Sequence, residues 1–235
     1  MTLILSIETS TSVCSVALHE DGNLISHREI DQEQAHASRL APFVKEVVAL
    51  AGLEINAIQA VAVSAGPGSY TGLRIGASTA KGLCFALSVP LISVSTLQVM
   101  TIPVLASVVS SNSLLCPMID ARRMEVYCQL FTAEGKELQP VEPKVIDDSS
   151  FSEWLAERKV LFFGNGASKC EAVIRHSNAV FVKNIYPSAV NMGAIAWARF
   201  QKNEFENIVQ FEPFYLKDFM IRKPKGEGVT NKTEH

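Results

Sequence analysis

The 235 residues contain no Cys-x-x-Cys, no His-x-x-x-His and no Gly-Lys-Ser/Thr closing a glycine loop. The five cysteines (Cys14, Cys84, Cys116, Cys128 and Cys170) are odd in number and widely spaced, which argues against a disulfide framework or a structural zinc site and for reduced core thiols. The five histidines are isolated, so a helical metal site is not expected. No Gly-x-Ser-x-Gly marks a serine hydrolase. No apolar run approaches the roughly 18 residues of a membrane span. Met1 to Ile7 lacks the basic start of a signal peptide and reaches Glu8 too soon, so a cytoplasmic protein is expected. Net charge is −3, so no global basic field draws nucleic acid; a local patch or a partner would have to supply it.

What is present is an ordinary globular composition, 48% hydrophobic and 19% charged. Leu3, Leu5 and Ile7 predict a buried strand ending at Glu8. Val13–Glu20 and Leu24–Ile30 predict a hairpin around Asp21-Gly22-Asn23. A helix over Glu33–Ala51 follows from the apolar stripe Leu40, Phe43, Val44, Val47, Val48 and Ala51, with Gly52 ending it. Gln59–Ala65 reads as a strand. Gly66-Pro67-Gly68 is a turn, and Ser69 caps a helix running to Leu87. Leu91–Val94 is a short strand, and Ser95 or Thr96 caps a third helix that Pro103 kinks or ends.

After about residue 110 the pattern partly repeats. Strands are predicted at Leu114–Asp120, Met124–Phe131, Val141–Ile146 and Val160–Phe163, with helices at Phe151–Arg158, Ala167–Arg175 and Ser188–Lys202. The expectation is an α/β protein of two lobes, residues 1–105 and 106–222, each a mixed sheet flanked by helices. Residues 223–235 read as a flexible polar tail.

Three segments carry chemistry. Glu8-Thr9-Ser10 follows the first strand, where an acid and small hydroxyls can surround a phosphate; the turn has no glycine, and a polar strand end that satisfies its own backbone is the alternative. Gly66 to Gly76 is neither a P-loop nor G-x-G-x-x-G. Its glycines continue into the helix at Gly72, Gly76 and Gly82, at roughly 1 kcal/mol each against alanine. They imply close backbone packing, either within the monomer or against a partner. Arg74, Ser78 and Lys81 mark a polar stripe on the same helix. Asp120-Ala121-Arg122-Arg123 sits at a strand end, where Asp120 and Arg122 are expected to pair and shape a cleft. Gly164-Asn165-Gly166 is a tight turn or a loop of adenosine-binding type.

Ile7-Glu8-Thr9-Ser10, the Gly66-to-Arg74 block, Asp120-Ala121-Arg122 with Glu125-Val126-Tyr127, and the late Glu212-Pro213-Phe214-Tyr215-Leu216 come in the order and spacing of the bacterial TsaB family. The resemblance reaches to about residue 217. It implies the actin-like (ribonuclease H-like) two-lobed fold and a non-catalytic subunit paralogous to the transferase TsaD. That family is expected to bind TsaD as a heterodimer and to work with TsaE. It supports N6-threonylcarbamoyladenosine formation next to the anticodon of tRNAs reading codons beginning with A. tRNA would be reached through the complex, and the chain alone is expected to form a homodimer. The resemblance also implies a docking face on the first two helices, for which the residues taken are Leu40, Phe43, Val47, Tyr70, Leu73, Arg74, Ala77 and Lys81. Where TsaD carries its metal-binding histidine pair, Thr96 and Met100 stand here, so no metal is expected. Nucleotide binding is expected to be at most weak, ATP or ADP at a subunit interface, with Glu8, Thr9, Ser10, Gly66, Gly68 and Asp120 as its candidates. The competing readings are an ATP-dependent small-molecule kinase or a metalloprotease-like enzyme of the same fold, and a homodimeric binding module.

Overall fold

The computed structural model describes residues 1–32, 34–105 and 112–215. Glu33, the expected first residue of the first helix, and the expected tail 223–235 lie outside them.

The first sheet is built from β1 (Leu3–Glu8), β2 (Val13–Glu20), β3 (Asn23–Asp31), β4 (Ala60–Gly66) and β5 (Leu91–Ser95), in the order β3-β2-β1-β4-β5. β1, β2 and β3 form an antiparallel meander, while β4 and β5 add in parallel. Parallel addition requires a crossover, and the helices supply it: α1 (His36–Leu50) leads into β4 and α2 (Tyr70–Leu87) links β4 to β5. Both cover one face of the sheet. Leu40, Phe43, Val44 and Val47 of α1 and Ala77, Ala80 and Cys84 of α2 meet Leu5, Ile7, Val61 and Val63 there. Gly52, at φ +67°, ends α1 as expected. Ser69 caps α2, its hydroxyl accepting from the Gly72 N–H at 3.3 Å.

α3 (Thr96–Leu105) keeps Pro103 inside its last turn and leads toward the second lobe. There β6 (Leu114–Asp120), β7 (Glu125–Cys128), β8 (Phe131–Thr132), β9 (Glu142–Val145), β10 (Val160–Phe163) and β11 (Ala179–Val182) form a sheet ordered β11-β10-β6-β7-β9, with β8 on β6. α4 (Ser152–Glu157) precedes β10 and α5 (Ala167–Cys170) follows it. The two lobes, each a mixed sheet flanked by helices, match the expected fold class.

Three local expectations change. Met124–Phe131 is two strands, although one register runs through both: Met118 faces Cys128 and Leu115 faces Phe131. Between them Pro117, opposite Gln129 in this register, has no N–H to give to the ladder, and Leu130 turns its carbonyl to the Leu138 N–H. The helix expected over Ala167–Arg175 stops at Cys170, and β11, not expected, follows. The helix expected from Ser188 begins as a 3₁₀ turn, Ala189–Met192, and becomes α6 only over Gly193–Gln201. Gly193 lies so close to His19 and the Gly22 carbonyl that a Cβ would collide with both.

The linear division at residues 105 and 106 does not describe where α6 packs. Ala189, Met192 and Ala196 cover the second face of the first sheet, against Ile4, Ala17, Ala62, Ile92 and Val94. A strap then runs back along β5. Glu206 N–H donates to the Leu91 carbonyl (2.8 Å) and Phe214 N–H to the Ala65 carbonyl (2.7 Å). Ser93 Oγ donates to Glu206 (2.5 Å), and Lys81 Nζ donates to the carbonyls of Val209 and Phe211. The strap covers an edge that would otherwise offer a row of unpaired backbone groups. Phe211 is its apolar anchor, buried in the core under α1 and α2. Phe211→Ala should cost about 3 kcal/mol in urea denaturation; a loss below about 1 kcal/mol would mean the strap is not held by that ring.

Candidate functional site

The structure brings together five of the six nucleotide candidates. Glu8 ends β1, and Thr9 and Ser10 turn away from it toward the start of α2. Gly68, Gly72 and Gly76 recur every four residues, and all three press on this turn. A Cβ on Gly68 would collide with Ser10, and one on Gly72 or Gly76 with Thr9. Thr9 Oγ1 donates to the Gly72 carbonyl at 2.9 Å. Gly66, at φ +104°, is pressed instead by the Phe214 carbonyl and Leu73. The glycine row therefore packs the chain against itself. The alternative, that these glycines admit a partner's backbone, is corrected for Gly72 and Gly76 and holds space only at Gly82, where nothing lies within 4 Å of a built Cβ.

Three backbone donors of the kind that would cradle a phosphate are already committed, while the buried Ser10 Oγ has no hydrogen-bond partner among the described residues. Ser10 N–H donates to Glu8 Oε1 (2.6 Å), Thr9 N–H to Ser64 Oγ (3.4 Å) and Ser69 N–H to the Ser10 carbonyl (2.6 Å). Glu8 is fully buried, and its Oε2 has no hydrogen-bond partner among the described residues. Burial pushes its carboxyl above the ordinary glutamate value, and the hydrogen bonds from Ser10 and its neighbours only partly offset that.

Asp120 stands apart, in the second lobe. Its N–H donates to Asn165 Oδ1 (3.0 Å), and its Oδ1 accepts from Lys169 Nζ (2.7 Å) and from the Arg122 N–H (2.6 Å). The expected side-chain pairing with Arg122 is thus replaced by an ion pair with Lys169, and only the Arg122 backbone reaches Asp120. Despite some desolvation, Lys169 and the Arg122 N–H hold Asp120 below the usual carboxylate range. Gly164-Asn165-Gly166 is a tight turn: a Cβ on Gly164 would strike Met118 and Met100, and one on Gly166 would strike Ile119.

The expected docking face divides. Leu40, Phe43, Val47, Leu73 and Ala77 are buried in the chain's own core. Their apolar stripe is the one the helices lay on their own sheet, so these five are corrected as direct contacts. Lys81 holds the strap. Arg74 Nη1 donates to the Tyr70 hydroxyl (2.6 Å) and lies over its ring, which meets Tyr215 at 4.8 Å between centroids. The outward surface is instead a groove of about 490 Å³ between α1 and α2, lined by Ala41, Val44, Lys45, Val48, Leu53 and Leu83 among others. Phe85 stands beside Gly82 on the outer face of α2, 83% exposed. Sequence periodicity could not separate these faces, because α2 is apolar or small on both. Thr96 and Met100, where the resemblance places TsaD's histidines, are fully buried in α3, and the Met100 methyl reaches Gly164.

Two outcomes follow from this packing. Gly72→Ala should unfold the chain or cost several kcal/mol, whereas Gly82→Ala should stabilise it by up to about 1 kcal/mol, both read by chemical denaturation. For Glu8, a folded-state pKa above the unfolded one means the folded chain binds the proton more tightly. Stability should therefore decline as pH rises above about 4.5, and Glu8→Gln should flatten that part of the profile.

The family model for TsaD, tRNA N6-adenosine threonylcarbamoyltransferase, matches residues 23–229. The chain is 31% identical over 227 residues to the Escherichia coli K12 tRNA threonylcarbamoyladenosine biosynthesis protein TsaB, covering 92% of this chain and 94% of that one. It is 30% identical to the Haemophilus influenzae protein of the same name, covering 92% and 93%. A tRNA N6-adenosine threonylcarbamoyltransferase from Zymomonas mobilis is 35% identical, but over only 42% of this chain and 31% of its own. Among solved structures, YeaZ from Pseudomonas aeruginosa superposes with a TM-score of 0.77 at 28% identity, covering 92% of this chain and all of that one. The matches that span more than nine-tenths of both chains are to TsaB, and the chain belongs to the TsaB family.

Proposed function

We propose that this chain is a non-catalytic subunit in the formation of N6-threonylcarbamoyladenosine on tRNA, one that docks on a TsaD-type transferase and activates it, in the cytoplasm. The observation that carries the reading is the outward face of α1 and α2. It joins an apolar groove to Gly82, where a backbone can approach closely, and to Phe85, a large ring left in water. Exposed apolar surface of this kind beside a helix pair marks a protein interface. The occupant this reading assigns to it is a second helix pair of the same kind, that of TsaD, with another copy of this chain as the occupant when TsaD is absent. Association with TsaE and recruitment of tRNA for the transfer are then properties of the assembly.

Two features favour scaffold over enzyme. The Thr9 and Ser10 N–H groups at the Glu8 turn are taken up within the chain. Buried Met100 occupies the position where the resemblance would place a metal ligand. No helix among the described residues is long and apolar enough to cross a membrane.

Gly82→Arg or Leu83→Glu should weaken binding to the TsaD of the same organism at least a hundredfold by calorimetry, with the unfolding temperature nearly unchanged. Binding at full strength by both variants would place the interface elsewhere. Micromolar ATP binding with turnover by the chain alone would overturn the non-catalytic role.

A further inference from the structure

The turn joining β6 to β7 is built at an unusual conformational cost. Arg122 and Arg123 both adopt positive φ, +72° and +47°. Consecutive left-handed residues in a tight hairpin turn are the place of Asn-Gly, because a Cβ and a long side chain are disfavoured there. The surrounding structure enforces the shape. Ala121 N–H donates to the Glu125 carbonyl and Glu125 N–H to the Arg122 carbonyl, both at 3.1 Å. Beneath the turn, Asp120 is fixed from three directions, by Asn165, by the Arg122 N–H and by Lys169. Lys169 Nζ also donates to the Glu125 carbonyl at 2.6 Å, so one cation holds both ends of the turn.

This clamp has an electrostatic result. Asp120, at the base of the turn, is paired with Lys169. Both arginines are exposed, and among the described residues neither guanidinium donates a hydrogen bond to a side chain or closes an ion pair. Strained positions that the fold over-determines are a recognised mark of function. A pair of guanidiniums held out on a rigid tip is suited to phosphate oxygens, which the planar fork meets in bidentate fashion.

The setting favours nucleic acid over protein. A protein contact would need a buried apolar centre. No large apolar side chain of residues 120–128 is exposed, and beside the turn only Val145, paired with Glu125 on β9, is an exposed apolar residue on the neighbouring strand, in contrast to the ring and groove of the α2 face. The chain as a whole is acidic, so any phosphate contact must be local. We infer that Arg122 and Arg123 form a contact for RNA backbone phosphates, through which this chain touches tRNA directly. The inference rests on the proposed role in tRNA modification for the identity of the RNA, though not for the chemistry of the contact.

The test compares the full chain with Arg122→Asn/Arg123→Gly and with Arg122→Lys/Arg123→Lys, each in complex with TsaD. Binding of an unmodified tRNA transcript is measured across a salt series. The Asn-Gly variant should bind at least tenfold more weakly, with a log K against log salt slope shallower by about 1 to 2. Its unfolding temperature should rise as the strain is relieved. The Lys-Lys variant should retain the slope. Unchanged RNA affinity and slope in the Asn-Gly variant would overturn the inference. So would loss of TsaD from that variant with RNA binding otherwise intact, since the arginines would then meet a protein carboxylate. If wild type binds no TsaD, the proposed function fails by itself; the salt series on the chain alone then still decides the arginine contact, with a slope difference supporting it and none overturning it.

Discussion

The seating of the Thr9–Ser10 turn on the glycine row of α2 is the contact on which the rest of the molecule depends. Gly68, Gly72 and Gly76 lie four residues apart, so they stack on one side of the helix and its entry turn and leave a channel without side chains. The Thr9–Ser10 turn fills it, with its backbone at Gly68 and Gly72 and the Thr9 side chain at Gly76. Each interior glycine weakens the helix by roughly 1 kcal/mol, and the contact must offset that. It does so by bringing β1 and α2 closer than any Cβ would allow and by satisfying the polar groups of both, through Thr9 Oγ1 on the Gly72 carbonyl and Ser69 N–H on the Ser10 carbonyl. The turn that might have opened onto a phosphate is closed by the chain itself. The buried Glu8 behind it, its carboxyl pushed above the ordinary glutamate value by burial, belongs to the same closure.

With that side fixed, the remaining sides of α2 acquire definite roles. Leu73, Ala80 and Cys84 go to the core, Lys81 to the strap, and Ser78, Gly82 and Phe85 to solvent. A helix that is apolar or small on nearly every side is buried on more than one. Here two sides are accounted for within the chain and one faces outward. The strap reinforces the arrangement from the other end, since Phe214 meets Gly66 and Tyr215 meets Tyr70 at the very start of the helix. The outward face is therefore presented on a helix whose position is over-determined.

Much of this was legible in the sequence because its causes are local. The meander of β1 to β3, the Ser69 cap, the end of α1 at Gly52 and both central strands follow from alternation, capping and turn chemistry within a few residues. What was not legible depends on distant partners. Leu40, Phe43 and Val47 form a stripe, but periodicity says only that the stripe is buried, and the sheet beneath α1 competes for it with any partner. The glycines announce close approach without saying to what. Pro117 splits the strand opposite it, an effect that needs the pairing register to be seen. Lys169 takes the place expected of Arg122 at Asp120 because a four-residue helix beginning 47 residues downstream is folded under the turn. The return of α6 to the first sheet is likewise a matter of topology, since Ala189, Met192 and Ala196 carry no mark of which sheet they cover.

The charges on α2 bear on what its outer face can meet. Arg74 and Lys81 are the only cations on the helix, and the sequence marked both as a polar stripe available to a partner. In the structure Lys81 is engaged by two backbone carbonyls and Arg74 by the Tyr70 hydroxyl and ring. Drawing either into a new ion pair would mean breaking those contacts, and an exposed ion pair gained in exchange is worth only about 0–1 kcal/mol. What this face offers for the proposed docking is consequently shape and apolar contact, from the groove beside Leu83, the open space at Gly82 and the ring of Phe85. Exposed cationic charge, unpaired among the described residues, is instead found at the β6–β7 turn, in the other lobe, on Arg122 and Arg123. The two lobes thus offer surfaces of different chemistry, one suited to a closely approaching helix pair and one to a flexible anionic backbone, and neither surface need be remodelled for the other to be occupied.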